Sequence, residues 1–127
     1  MELHTEPLSV KQLQEELNYL ATYCVDNQIF ECAVMLGYGW ALSYYKTADW
    51  TFEKVRSNNL TDWVSQHEEK RLGKLGGDDL YIKIPQVEFK FCNESDIHIV
   101  AEKPNKHTRH FKKRWQTLGY KIHMLTT

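Results

Sequence analysis

The sequence predicts an α+β fold in one domain, with a helical N-terminal half packed on a small antiparallel β-meander. The first observation is that apolar residues near the N-terminus recur at helical spacing, whereas those after residue 79 alternate with polar residues as in strands. The second is size: 127 residues, 42% of them hydrophobic, suit a single domain with one core. We therefore treat residues 1–127 as one unit with a helical part over 9–72.

The first helix is predicted over residues 9–25. Its apolar stripe repeats at spacings of 3, 4, 3 and 4 through Val10, Leu13, Leu17, Leu20 and Cys24. Ser9 followed three residues later by Gln12 has the pattern of a capping box. We expect this stripe to face the core.

Residues 29–45 carry two conflicting patterns. The even positions from Phe30 to Tyr44 are apolar, which favours a strand, while Ala33, Gly37 and Ala41 form a small-residue row at helical spacing. Seventeen residues are long for one strand, yet a glycine inside a helix costs about 1 kcal/mol relative to alanine. We favour a buried helix here and keep the strand as the alternative.

Two short helices should complete the first half. Asp49 is placed to cap one that starts at Trp50, and Thr61 to cap another over 62–72. Residues 57–59 should form the turn between them, and glycines within 70–79 indicate a flexible break.

The second half switches to strand spacing. Residues 80–84, 87–91 and 97–100 are rich in β-branched and aromatic residues, and turn-forming residues separate them. A helix is predicted over 105–118, with Phe111, Trp115 and Leu118 on one face and Gly119 just beyond its C-terminus. A short strand over 120–125 should rejoin the sheet.

Charge is divided unequally along the chain. Residues 1–69 hold eleven acidic and four basic side chains, a net of -7, and residues 70–127 hold a net of +6. A division of this kind favours a charged partner. No apolar run is long enough to span a bilayer and no secretory leader is recognised, so we expect a cytosolic protein without membrane contact, monomeric or a small oligomer. The three cysteines are expected to be reduced core thiols.

Two groups of residues are candidates for binding a partner. The basic group lies on the predicted C-terminal helix, which buries Phe111 and Trp115 and so must turn its cations to solvent. The acidic group combines a tryptophan anchor with a neighbouring carboxylate. Together the candidates are Asp49, Trp50, Asp62, Trp63, Lys106, Arg109, Lys112 and Lys113.

An enzymatic alternative rests on Asp79, Glu88 and Lys90. Magnesium nucleases of the PD-(D/E)xK kind place an aspartate on one strand and Glu-x-Lys on its neighbour, where two carboxylates hold the ion. The same three residues also fit an ordinary solvent-facing strand, and no Pro-Asp precedes them.

Glu94, Asp96, His98 and Glu102 suggest a metal site, because Asp96 and His98 share one face of a predicted strand. Zinc needs a further protein ligand, which His123 supplies only if the terminal strand pairs alongside. A polar sheet face is the simpler interpretation, so no metal ligand and no cofactor are assigned.

The order of elements resembles the small α+β immunity proteins that bacteria make against toxins delivered between neighbouring cells. The resemblance covers most of the chain in organisation and rests on no diagnostic motif. It implies a non-catalytic inhibitor that binds a cognate toxin through charge complementarity. Nucleic-acid binding by the basic helix is the remaining alternative, although a pI of about 6.6 is low for that role.

Overall fold

A computed structural model describes residues 1–37 and 51–125. In this part of the chain one seven-stranded antiparallel sheet packs against three helices. The strands are β1 (Glu2–Thr5), β2 (Glu31–Leu36), β3 (Glu53–Arg56), β4 (Leu80–Ile84), β5 (Val87–Phe91), β6 (Ile97–Val100) and β7 (Ile122–Leu125). The helices are α1 (Val10–Asp26), α2 (Leu60–Glu69) and α3 (Lys106–Thr117). The order across the sheet is β3-β2-β4-β5-β6-β1-β7.

The α+β class is confirmed, and the meander forms the centre of the sheet. Strands β4, β5 and β6 have the predicted bounds and pair antiparallel in sequence order. Alternate residues along each are buried, because one face of the sheet packs under the helices. The terminal strand also rejoins the sheet, as predicted, and pairs with β1.

Helix α1 forms where its apolar spacing predicts. The Ser9 side chain accepts a hydrogen bond from the Gln12 backbone at 3.1 Å, and Gln12 Oε1 accepts one from the Ser9 backbone at 2.9 Å. Leu13, Leu17, Leu20 and Cys24 are buried, whereas Val10 at the helix start is 44% exposed. The apolar stripe is therefore buried in the core from Leu13 onward.

The prediction of a helix over 29–45 is wrong for residues 31–36, which form β2, and residues 38–45 lie outside the described part. Cys32, Val34 and Leu36 are the buried alternate positions, because β2 pairs with β3 on one side and β4 on the other. A Cβ on Gly37 would lie 2.6 Å from Cε2 of Tyr81. The absent side chain at Gly37 thus permits the close approach of β2 to β4, not the packing of two helices.

The remaining predictions for the first half need two corrections. The helix expected to start at Trp50, which itself lies outside the described residues, is not formed at residues 53–56: these form β3, and a 3₁₀ turn at Ser57–Asn59 follows. Helix α2 begins at Leu60, after Asn59 and not after Thr61, and ends at Glu69. The region over 9–72 is therefore mixed and not helical throughout. Strand β1, in a segment that was not assigned any structure, inserts between β6 and β7.

One continuous core joins the three helices to the inner face of the sheet. Phe111 and Trp115 of α3 meet Phe89 and Phe91 of β5 there, together with Leu20 of α1. The rings of Phe89 and Phe111 lie 4.9 Å apart in an edge-to-face arrangement, a favoured geometry for buried aromatic pairs. This contact holds α3 against the centre of the sheet.

The three cysteines are free thiols. Cys24 and Cys32 are buried as expected, but Cys92 is only partly buried. Burial raises the pKa of Cys24 and of Cys92 to about 12 and that of Cys32 to about 11. All three thiols are therefore poor nucleophiles at neutral pH.

None of the described helices combines the length and the apolar character needed to span a bilayer.

Candidate functional site

Helix α3 carries four cations on one side, which we call the basic face: Lys106, Arg109, Lys112 and Lys113. Lys112 is half-buried, and the other three are exposed. Asn105 caps the helix, with its Oδ1 accepting from the backbone of His107 at 3.0 Å and of Thr108 at 3.1 Å. Phe111 and Trp115 are buried on the opposite side. The sequence therefore fixes the orientation of the helix through its two aromatic anchors, and the cations must face outward.

No ion pair to another described residue neutralises the four cations of the basic face. Among residues 1–37 and 51–125, the single ion pair that uses a lysine or arginine joins Arg114 to Glu16. The pKa of His107 and of His110 is lowered, first by burial and then by neighbouring cations, Lys106 for one and Arg114 and Lys113 for the other.

A buried carboxylate attaches α3 to α1. Glu16 is 3% exposed, and its carboxylate accepts from Arg114 Nη2 at 2.7 Å, Arg114 Nε at 3.2 Å and Trp115 Nε1 at 2.7 Å. The Arg114 guanidinium also lies 3.5 Å from the centre of the Tyr19 ring, a cation–π contact. We call Glu16, Arg114 and Trp115 the Glu16 network. It removes Arg114 from the set of cations available to a partner.

A shallow cleft of about 370 Å³ opens beside the basic face. Its lining includes Tyr19, His110, Lys113 and Leu118. The Tyr19 hydroxyl lies 2.7 Å from His110 Nε2, and Leu118 is 47% exposed. The cleft thus places the Tyr19 ring and an exposed apolar side chain next to Lys113 of the basic face.

The acidic candidates lie elsewhere, and Asp49 and Trp50 fall outside the described residues. Asp62 is exposed in the first turn of α2. Trp63 is half-buried against the core, and its ring centre lies 4.1 Å from that of His67. Trp63 therefore packs within its own helix and does not project as an exposed anchor.

The structure does not bring the three residues of the nuclease alternative together. Glu88 pairs across the strands with Lys83, and Lys90 pairs with Tyr81. Asp79 lies four positions before Lys83, roughly 13 Å away along an extended strand. Its carboxylate instead accepts from the Asn93 backbone at 2.7 Å and the Tyr81 hydroxyl at 3.3 Å. Asp79 holds the turn after β5 against the start of β4, away from Glu88.

Three imidazole rings stack across the outer face of the sheet, on β7, β1 and β6. The ring of His4 lies 5.0 Å from that of His123 and 4.7 Å from that of His98, with interplanar angles of 25° and 13°. Register explains the row, because His4 pairs directly with both His98 and His123 and directly paired residues share a face. Asp96 lies beside His98, with its Oδ2 2.7 Å from His98 Nε2.

His4, Asp96 and His98 each offer one ligand atom, and the three atoms lie within 4.8 Å of one another. We call these three residues the histidine cluster. His123, the third ligand considered from the sequence, instead contacts Glu6 at 2.8 Å through its Nε2. Sequence reasoning missed His4 because β1 was not recognised, and its only signal was the short alternation Glu2-Leu3-His4-Thr5.

No family model, no curated protein and no solved structure matches this chain.

Proposed function

We propose that the protein binds an acidic protein through the basic face of α3 and inhibits it stoichiometrically, in the manner of an immunity protein. The observation that carries the proposal is the set of four cations on α3, which no described acidic residue neutralises. The opposite side of the same helix is immobilised by Phe111 and Trp115. Exposed cations on a rigid element attract an oppositely charged surface and speed its association.

The rigidity of α3 supports affinity as well as attraction. The helix is capped at its start by Asn105 and fixed to α1 by the Glu16 network. A partner would therefore have to order few groups on this side of the interface, which reduces the entropic cost of binding. The cleft beside Lys113 adds an apolar contact through Tyr19 and Leu118.

A protein partner fits the whole chain better than a nucleic acid does. The chain has a net charge of -1, and exposed acids on α1 and α2, such as Glu15, Asp26 and Asp62, would repel phosphates that extend beyond α3. A protein surface can be limited to the area of one helix. We infer that binding takes place in the cytosol, where the three thiols would stay reduced.

The first experiment tests the charged surface with a defined probe. Fluorescence anisotropy would measure binding of labelled poly-glutamate and of a labelled single-stranded RNA. The variant K106Q/R109Q/K112Q/K113Q removes the basic face. The control K11Q/K70Q/R71Q/K74Q also removes four cations, all of them exposed and all outside α3. The proposal expects poly-glutamate binding that falls at least tenfold in the α3 variant and little in the control.

Two results would overturn this reading of the surface. Equal losses in both variants would mean that binding follows total charge and not the basic face. Tighter binding of RNA than of poly-glutamate, with a steep salt dependence, would favour the nucleic-acid alternative.

A second experiment tests inhibition, with a lysate of the cells that naturally make this protein as the source of the partner. Wild type, α3 variant and control would each be used as bait, and retained proteins identified by mass spectrometry. The proposal expects one acidic protein, retained by wild type and control and lost by the variant. Adding increasing amounts of the wild-type chain to that protein should abolish its activity at a fixed molar ratio. Magnesium-dependent DNA cleavage that is lost in Glu88→Ala would instead support the nuclease alternative.

A further inference from the structure

The histidine cluster contains the elements of a divalent metal site outside the surface used by the proposed function. Its three members come from two neighbouring strands and the turn before one of them: His4 from β1, His98 from β6, and Asp96 just before β6. Each is half-buried, so the group is sheltered but reachable. Imidazole and carboxylate are both suited to zinc.

Hydrogen bonds limit which nitrogen of each imidazole is free to bind a metal ion. His4 Nδ1 lies 3.2 Å from the Thr5 carbonyl oxygen, and His98 Nδ1 lies 2.7 Å from Glu2 Oε1. The Thr5 carbonyl favours the hydrogen on His4 Nδ1, which leaves a lone pair on His4 Nε2. His98 has a carboxylate oxygen 2.7 Å from each ring nitrogen, so a neutral ring can donate to only one of them and turns a lone pair towards the other. A carboxylate or carbonyl behind Nδ1 is the usual arrangement around a metal-binding histidine.

Asp96 supplies two further observations. With its hydrogen on Nδ1, a neutral His98 has a lone pair at Nε2, only 2.7 Å from the acceptor Asp96 Oδ2. Two acceptors at that distance repel each other unless a cation bridges them. The second oxygen, Asp96 Oδ1, is buried and makes no hydrogen bond to any described residue. A buried carboxylate oxygen without a partner is costly. A cation between Oδ2 and Nε2 would remove the repulsion, and a cation that both carboxylate oxygens contact would also satisfy Oδ1.

We propose that His4, Asp96 and His98 bind one Zn²⁺ ion, with Glu2 orienting His98 from behind. Two imidazole nitrogens and one carboxylate make three protein ligands, which leaves one position of a tetrahedral site for water. The ion would join β1 to β6 across the outer face of the sheet. The rival explanation is a protonated His98 that donates to Glu2 and Asp96 at once, with no ion bound.

Isothermal titration of Zn²⁺ into the chelator-treated protein, prepared without a histidine tag, separates these explanations. The proposal expects one Zn²⁺ per chain, tight enough to raise the melting temperature in micromolar metal. Asp96→Asn and His4→Gln should each weaken binding by more than about 100-fold. Glu2→Gln should weaken it by about 10- to 100-fold, the range for the hydrogen-bond partner of a ligand.

The matched control is His123→Gln. His123 stacks on His4 in the same row but keeps its Nε2 on Glu6, so this variant should bind Zn²⁺ within about threefold of wild type. Circular dichroism would show that each variant is folded, and Asp96→Asn, which preserves shape, serves as the test if His4→Gln unfolds. No saturable Zn²⁺ binding by folded wild type, or equal loss in His123→Gln, would overturn the proposal. Neither outcome bears on the basic face, because no cluster residue lies on α3.

Discussion

Glu16 and Asp96 are two sheltered carboxylates on opposite sides of the sheet, and they differ in how completely they are hydrogen-bonded. Glu16, on the helical side, accepts three hydrogen bonds from Arg114 and Trp115. Asp96, on the outer face, has a side chain 17% exposed. One of its oxygens faces a histidine, and the other has no partner among the described residues.

The difference separates a structural carboxylate from a candidate ligand. A buried charge contributes to a stable fold only when its hydrogen-bonding capacity is filled, as it is at Glu16. A carboxylate that lacks some of its hydrogen bonds and lies beside two imidazoles is better suited to binding a metal ion. The same contrast holds for histidines: His107 and His110 contact tyrosine hydroxyls, whereas His98 contacts two carboxylates.

The largest expected effect comes from breaking the Glu16 network. Glu16→Ala leaves Arg114 and the Trp115 indole without their buried partner, so the free energy of unfolding should fall by about 3–5 kcal/mol. Urea denaturation measures this change in the free energy of unfolding. The neighbouring Glu15 is exposed, and Glu15→Ala should change stability by less than about 0.5 kcal/mol. Equal effects of the two substitutions would contradict the assigned role of Glu16.

A narrower change isolates one hydrogen bond of that network. Trp115→Phe keeps an aromatic ring in the core but removes the donor that reaches Glu16 at 2.7 Å. Lost ring volume and the weakened network together should cost about 1–3 kcal/mol. The double variant Glu16→Ala/Trp115→Phe should lose less than the sum of the two single changes, because both remove the same contact. Strict additivity in urea denaturation would show that the indole acts by packing alone.

The histidines of α3 predict a pH dependence of opposite sign to that of a histidine paired with a carboxylate. Burial, followed by nearby cations, places the pKa of His107 and His110 below the ordinary 6.5. The unfolded chain therefore binds these protons more readily. Their contribution to stability is present above about pH 6.5 and is lost as the pH falls through the lower folded-state pKa.

The measurement is the free energy of unfolding between pH 7.5 and pH 5, in wild type and in His107→Gln/His110→Gln. The wild type should lose more stability than the double variant over that interval. A steeper loss in the double variant would contradict the direction of both pKa shifts.

Asp96→Asn should have a small effect on the metal-free protein. The amide keeps an oxygen beside His98 and removes a charge that lacks a full set of partners, so stability should change by less than about 1 kcal/mol. The same substitution should abolish the rise in melting temperature caused by Zn²⁺. A loss comparable to that of Glu16→Ala in the absence of metal would make Asp96 a structural residue.

The smallest effect concerns the exposed pair at the edge of the stack. The hydrogen bond from His123, opposed in part by desolvation, lowers the pKa of Glu6. His123→Gln should therefore raise the Glu6 pKa towards its ordinary value of 4.5 without a measurable change in stability. Titration of the carboxyl followed by NMR gives the value. An unchanged pKa would show that the two side chains are not paired in solution.

Elements set by residues close together in the sequence could be predicted, and elements set by contacts between distant residues could not. Helix α1, the meander and α3 could be predicted because each shows its pattern within a short stretch of sequence. Helix α1 has a capping box and an apolar stripe, the strands of the meander alternate, and α3 has an apolar face. Residues 31–36 could not, since their small residues fit a helix and a close strand contact equally well. Only pairing with β3 and β4 decides between the two. The basic face was predicted for a similar reason: its orientation depends on Phe111 and Trp115, which lie on the same helix.

By itself the sequence determined the α+β class, the central strands, the C-terminal helix and the side of that helix which carries the cations. These depend on spacing within one element, which the chain displays directly. The tertiary structure alone decided that β1 lies between β6 and β7, that Glu16 meets Arg114 and Trp115, and that His4 joins Asp96 and His98. Each of those contacts joins residues more than 90 positions apart, and strand order in a sheet is set by packing of the whole chain.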